Sequence, residues 1–186
     1  MTNWKNTPER YGSLPIALHW LTLLLMAAIY IFVELHEIFP KDSPGRSFMM
    51  RAHFSFGLLV MLLTLVRLGL RWTSPVPRIE PPIPRWQTVL SHWVHGLLYA
   101  LMLGAPLAGW LMISAAGRPI FFFGMELPAL LAKNEDLFKQ IKEMHEIAGT
   151  LGYALIGLHA VAALVHHYIM QDNTLVRMLP KRWVGR

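Results

Sequence analysis

His145 and His159 stand fourteen residues apart in one apolar stretch. That spacing is close to four helical turns, so both imidazoles leave the same face, about 21 Å apart along the axis. One helix built this way supplies a ligand to each of two cofactors at different depths. Each ligand needs a partner. His19 lies about a turn and a half into the first apolar segment, at a depth His159 can share. His53 stands at the start of the second segment and matches His145. Two levels with two histidines each follow from topology. Paired imidazoles facing across a gap suit haem iron, which accepts nitrogen ligands on both faces of the porphyrin.

Gly57 and Gly149 follow His53 and His145 by four residues, about one turn. A missing side chain there lets a flat macrocycle lie close to the helix, although small residues also serve plain helix packing. A single membrane histidine can likewise be explained by a hydrogen bond across helices. Zinc fits less well. His145–Glu146 begins like a zinc-protease helix, but Gly149 occupies the place of the second histidine.

The other histidines leave alternatives open. His92 and His95 share a face at the start of the third segment. His166 lies seven residues after His159 on nearly the same face, and His167 is turned about 100° away. His95 competes with His19 as a ligand. Alternatively His95 and His166 line a quinone pocket, where an imidazole binds a carbonyl and passes a proton. The plain alternative is interfacial histidines touching lipid headgroups. His36 falls in a polar loop.

The elements that position these side chains are transmembrane helices. The 186 residues are 54% hydrophobic and 15% charged, well below the roughly one quarter charged of a soluble domain. Four segments, about 14–35, 52–71, 89–114 and 145–170, are each near the roughly 20 residues that cross a hydrocarbon core. The predicted fold is all-α, an integral membrane four-helix bundle forming a single domain over residues 1–186. The first segment is too long for a signal-peptide core and is expected to remain as a membrane helix. Residues 36–51 read as a polar loop. Residues 72–88, with five prolines, read as an extended connection. Residues 115–144 read as the longest loop, with a short surface helix over Leu130–Glu143. The absence of cysteine excludes disulfides, cysteine-held iron–sulfur clusters and covalent c-type haem.

The net charge of +6 follows from basic residues flanking the spans, with no groove-like basic patch for nucleic acid. With the N-terminus inside, ten basic residues fall on the inner side: Lys5, Arg10, Arg67, Arg71, Arg78, Arg85, Arg177, Lys181, Arg182 and Arg186. Seven fall outside. Both termini are therefore predicted to be cytoplasmic. Arg67 and Arg71 end the second helix, either to pair with haem propionates or to snorkel. Trp20, Trp72, Trp86, Trp93 and Trp183 read as an aromatic belt.

The stretches "ALHWLTLLLMAAIY", "MRAHFSFGLLVMLLTLVRLGLR", "SHWVHGLLYALMLGAPLAGWLM" and "MHEIAGTLGYALIGLHAVAALVHHYIMQDNTLVRMLP" together resemble the bacterial cytochrome b561 family, the four-helix di-haem type, over nearly the whole chain. The resemblance implies two haem b in the bacterial inner membrane, with His19 and His159 holding the inner haem and His53 and His145 the outer. It also implies oxidation of superoxide at the outer face and reduction of ubiquinone near the inner haem. Arg46, Arg51 and Arg118 are then candidates for steering the anion. No residue stands out as a catalytic acid or base. Two other readings compete. One is a haem b subunit fed by a dehydrogenase or hydrogenase partner. The other is a cofactor-free transporter or structural protein, whose membrane histidines would mark a substrate path. A nucleotide-binding reductase is disfavoured, since no Gly-x-Gly-x-x-Gly turn is present.

Overall fold

The computed structural model describes residues 4–180. Four helices dominate: α1 (Ser13–Leu35), α2 (Pro44–Thr73), α3 (Arg85–Ala115) and α4 (Glu135–Tyr168). All four are long and apolar enough to cross a membrane. Even α1, with 23 residues, extends about 35 Å at 1.5 Å per residue. Leu24, Ile31, Leu65, Leu151, Leu158 and Val161 are all more than half exposed. So much exposed aliphatic surface on helices is stable in lipid, where backbone groups are satisfied within each helix. The chain is an integral membrane four-helix bundle.

Two helices begin well before the positions hydropathy alone suggests, and α3 begins at Arg85 and not near Val89. α2 starts at Pro44 and not near Ala52, because proline suits the first helical position and the Ser43 hydroxyl accepts the Arg46 N–H at 3.2 Å. α4 starts at Glu135 and not at His145. Asn134 Oδ1 accepts the Leu137 N–H at 3.0 Å, and Glu135 and Asp136 complement the helix dipole. The expected surface helix over Leu130–Glu143 is thus the first turns of α4. His53 and His145 consequently lie at comparable positions inside their helices, tenth in α2 and eleventh in α4.

Contacts divide the chain into two compact units, each drawing on all four helices. The first comprises Met1–Leu21, Leu65–Tyr99 and Gly152–Arg186, and the second Thr22–Thr64 and Ala100–Leu151.

In the first unit the loops are woven together. The Arg78 N–H donates to Pro8 O at 3.0 Å, and Asn6 Nδ2 donates to Pro75 O at 3.0 Å. Arg10 donates to Leu179 O at 2.6 Å, and the Trp20 indole donates to Met178 O at 2.7 Å. Trp20 is therefore part of this packing and not a belt anchor. Trp72, Trp86 and Trp93 are exposed, as anchors should be. Trp183, Lys181, Arg182 and Arg186 lie outside the described residues. Gly12 sits where the amino-terminal segment passes closest, and a Cβ there would come within 2.5 Å of the Lys5 carbonyl oxygen. Gly12→Ala is expected to destabilise by about 1–3 kcal/mol, as overpacking does. Thermal unfolding in detergent measures it, and an unchanged melting temperature would show that the segment yields freely.

In the second unit, strands β1 (Ile120–Phe122) and β2 (Met125–Leu127) form a hairpin. Its two-residue turn places Phe123 and Gly124 at positive φ, 47° and 88°, as a tight hairpin turn requires. Ser55 on α2 pins the hairpin, donating to Phe121 O at 3.4 Å and accepting the Phe123 N–H at 3.2 Å. Phe123 packs against Phe56, and Phe56 against Phe32. The region expected to be loop therefore carries a two-stranded sheet held by Ser55, two residues along α2 from His53. On α3, Ser114 accepts the Leu130 N–H at 3.1 Å, which ties the connection back to the helix.

Candidate functional site

Five of the six singled-out histidines fall into two groups, one in each unit. In the second unit, His53 and His145 face each other with ring centroids 6.1 Å apart. In the first, His19 and His159 do the same at 6.2 Å. Two imidazole nitrogens bound on opposite sides of one metal ion at about 2 Å each, with each centroid about 1.1 Å further out, give a separation of about 6 Å. Both pairs fit that arrangement.

His53 Nδ1 lies 3.0 Å from Ile29 O on α1, and His145 Nδ1 lies 2.9 Å from Ala105 O on α3. A carbonyl only accepts, so Nδ1 carries the proton in both rings and Nε2 is left bare to coordinate. The surrounding helix faces make room. Gly109 lies against His145, where a Cβ would meet Cε1 at 3.5 Å. Tyr30, next to Ile29, donates to Gly149 O at 2.9 Å and holds α4. The two glycines noted in the sequence serve different purposes. Gly57 faces Pro106 at 3.9 Å and is a helix-packing position. Gly149 has nothing within 4 Å of a built Cβ, as a flat ring beside His145 requires.

The first unit adds a third imidazole. His95 lies 5.2 Å from His159, centroid to centroid. That is too close for a metal ion held by both rings from opposite sides. His95 Nδ1 contacts Ser91 O at 2.6 Å, which leaves its Nε2 free to bind another group. His19 Nδ1 accepts from Arg67 at 3.3 Å. Arginine only donates, so a small rotation of Arg67 is needed before His19 presents a bare Nε2. Ring separation is fixed by helix packing and tautomer by a side-chain rotation, so the distances favour His19 over His95 as the partner of His159. Arg67 is half-buried against His19 and is not a snorkelling residue.

His166 is apart from these rings. Its Nδ1 is 2.5 Å from Asp172 Oδ2. His167 meets the Tyr168 ring edge-on, with centroids 4.7 Å apart. His36 is not a free loop histidine, since its Nε2 reaches Glu37 at 3.0 Å.

The family model described as prokaryotic cytochrome b561 matches residues 10–181. The chain belongs to the prokaryotic cytochrome b561 family. Among its relatives is cytochrome b561 homolog 1 of Escherichia coli (strain K12), 38% identical over 94% of this chain and 99% of its own length. Probable superoxide oxidase CybB of Yersinia pestis is 34% identical over 94% of this chain and 98% of its own. Cytochrome b562 of Cereibacter sphaeroides is 30% identical over 92% and 96%. Like other cytochromes b561, the chain is a bacterial membrane protein of haem b electron transfer. This membership sets aside the cofactor-free transporter.

Sequence reading missed the groups that orient the imidazoles. The carbonyls of Ile29 and Ala105 leave no side-chain signal. Asp172 stood in the fourth of the stretches that carry the family resemblance, without a role.

Proposed function

We propose that the chain holds two haem b, one between His53 and His145 and one between His19 and His159, and oxidises superoxide while reducing ubiquinone. The observation that carries this reading is the pair of matched imidazole separations, 6.1 and 6.2 Å. In the proposed setting, the bacterial inner membrane with both termini cytoplasmic, the His53 pair is the outer one. Haem held by two imidazoles supplies a one-electron carrier whose potential the protein tunes through hydrogen bonds and burial.

The reaction balances simply. Two superoxide anions each lose one electron and leave as dioxygen. One ubiquinone takes both electrons and two protons and leaves as the quinol. The protein's part is to attract an anion on one side and to supply protons on the other. Arg51 and Arg118 are exposed and available for steering. Arg46 is less so, because it is engaged by Glu37 at 3.2 Å and by the carbonyls of His36 and Phe39. His95, with Nε2 free beside His159, and His166 are the imidazoles offered to the quinone. The name of the Yersinia pestis relative, probable superoxide oxidase, supports the same donor.

The test is superoxide-driven quinol formation by the purified, haem-loaded protein with ubiquinone-1. The expected result is one quinol per two superoxide consumed, faster than spontaneous dismutation. If superoxide reduces the protein no faster than it dismutates, the donor assignment is wrong, and electrons must come from a dehydrogenase partner.

A further inference from the structure

α4 ends at Tyr168, and the chain then folds back beneath it. Gln171 takes a left-handed conformation with φ of 53°, and the Asp172 N–H donates to His166 O at 3.1 Å. This reversal drives the Asp172 carboxylate into the protein, where it is only 5% exposed. One oxygen, Oδ2, takes His166 Nδ1 at 2.5 Å, and the other, Oδ1, takes the Thr174 N–H at 2.8 Å. The turn is locked from the proline-rich loop. Asn173 N–H donates to Glu80 O at 3.0 Å, and Glu80 N–H returns to Asn173 Oδ1 at 3.0 Å. Arg177, 8% exposed, donates to Asn173 O through its N–H and to Pro77 O through its guanidinium, and faces the Tyr11 ring.

Closing a helix end does not need a buried carboxylate. Glycine or asparagine does so without taking a charge out of water. Burial alone would push the Asp172 carboxyl up, yet the hydrogen bonds from His166 and Thr174 outweigh it and hold the group below the usual carboxylate range. An ionised aspartate on Nδ1 does for His166 what it does in a hydrolase triad. It fixes one tautomer, with the proton on Nδ1. Nε2 then has no hydrogen-bond partner among the described residues, and His166 stands seven residues, about two turns, after His159 on α4.

We propose that Asp172 is the positioning residue of a proton-delivering pair, holding His166 so that its Nε2 gives protons to ubiquinone as it is reduced. The proposal rests on the ubiquinone reading above. For each quinol formed, Nε2 gives up a proton to a quinone oxygen and is reprotonated from water, twice over, while Asp172 stays ionised. The charged and titratable groups around the pair are Arg177 and Tyr11, with Arg78 and Glu80 contributing backbone groups through Asn173. Nothing in the cycle requires them to change charge.

The experiment compares wild type, Asp172→Asn, Asp172→Glu and His167→Gln, all haem-loaded. It measures quinol formation, haem content and the tautomer of ¹⁵N-labelled histidine. Asp172→Asn is expected to retain haem and its KM for ubiquinone-1 while kcat falls about 100-fold, the scale of a lost general acid. Added imidazole should restore part of the rate, Asp172→Glu should restore most, and His167→Gln should match wild type. The Nδ1–H tautomer signal of His166 should weaken in Asp172→Asn. A wild-type rate in Asp172→Asn overturns the proposal. So does a loss of rate that follows loss of haem or melting temperature and resists imidazole, because the pair is then only a staple. If wild type itself makes no quinol, the ubiquinone reading fails first and the proposal falls with it.

Discussion

His159→Ala is expected to leave one haem per chain in place of two, with the remaining haem spectrally normal. His145→Ala should do the same for the other level. A pyridine haemochrome assay with reduced-minus-oxidised spectra reads both. Combining His19→Ala with His159→Ala should cost no more haem than either change alone, because both remove the same site. Combining His145→Ala with His159→Ala should leave none. The informative control is His95→Ala. The 5.2 Å separation from His159 puts His95 beside the site and not across it, so this variant should keep both haems. If His95→Ala loses a haem and His19→Ala keeps both, the partner of His159 is His95, and the distance argument fails.

Arg67→Gln is expected to lower the midpoint potential of the haem held by His19 and His159 by about 50–100 mV, with haem content unchanged. The guanidinium lies 3.3 Å from His19 Nδ1, and a nearby cation favours the reduced, less positive state of an iron centre. At an effective dielectric of about 20 and a separation of about 8 Å, Coulomb's law gives about 2 kcal/mol, the origin of that range. The other haem serves as internal reference and should shift little. Potentiometric titration decides it. An unmoved potential would mean that Arg67 is screened and holds His19 only by geometry.

The helices, their number and the histidines that pair were legible in the sequence, because periodicity and apolar length are one-dimensional signals. His145 and His159 needed only counting. The helix ends were not legible. Pro44 and Asn134 start their helices by local capping, in stretches too polar to read as membrane spans. The hairpin at Phe121–Phe123 was hidden because its stability comes from Ser55, more than sixty residues away. The competition between His19 and His95 stayed open for a related reason. Both lie in helices that hydropathy places correctly, and a difference of 1.0 Å in ring separation distinguishes them. No pattern of residue types encodes a distance of that size. Trp20 misled in the opposite way, since its position suits a membrane anchor while its indole is held by Met178 O.

His53 and His145 are both oriented by main-chain oxygen, from Ile29 and Ala105. Every residue type carries that oxygen. Neutral drift at positions 29 and 105 can therefore exchange the side chain freely without disturbing the hydrogen bond that prepares each imidazole. Such a site tolerates mutation in its supporting layer and resists adjustment by it. Over evolutionary time, tuning of the haem proposed between His53 and His145 would come from shifts of α1 and α3, or from residues that touch the macrocycle. Comparing sequences at positions 29 and 105 would therefore show side-chain variability at two residues whose main-chain oxygens orient the pair.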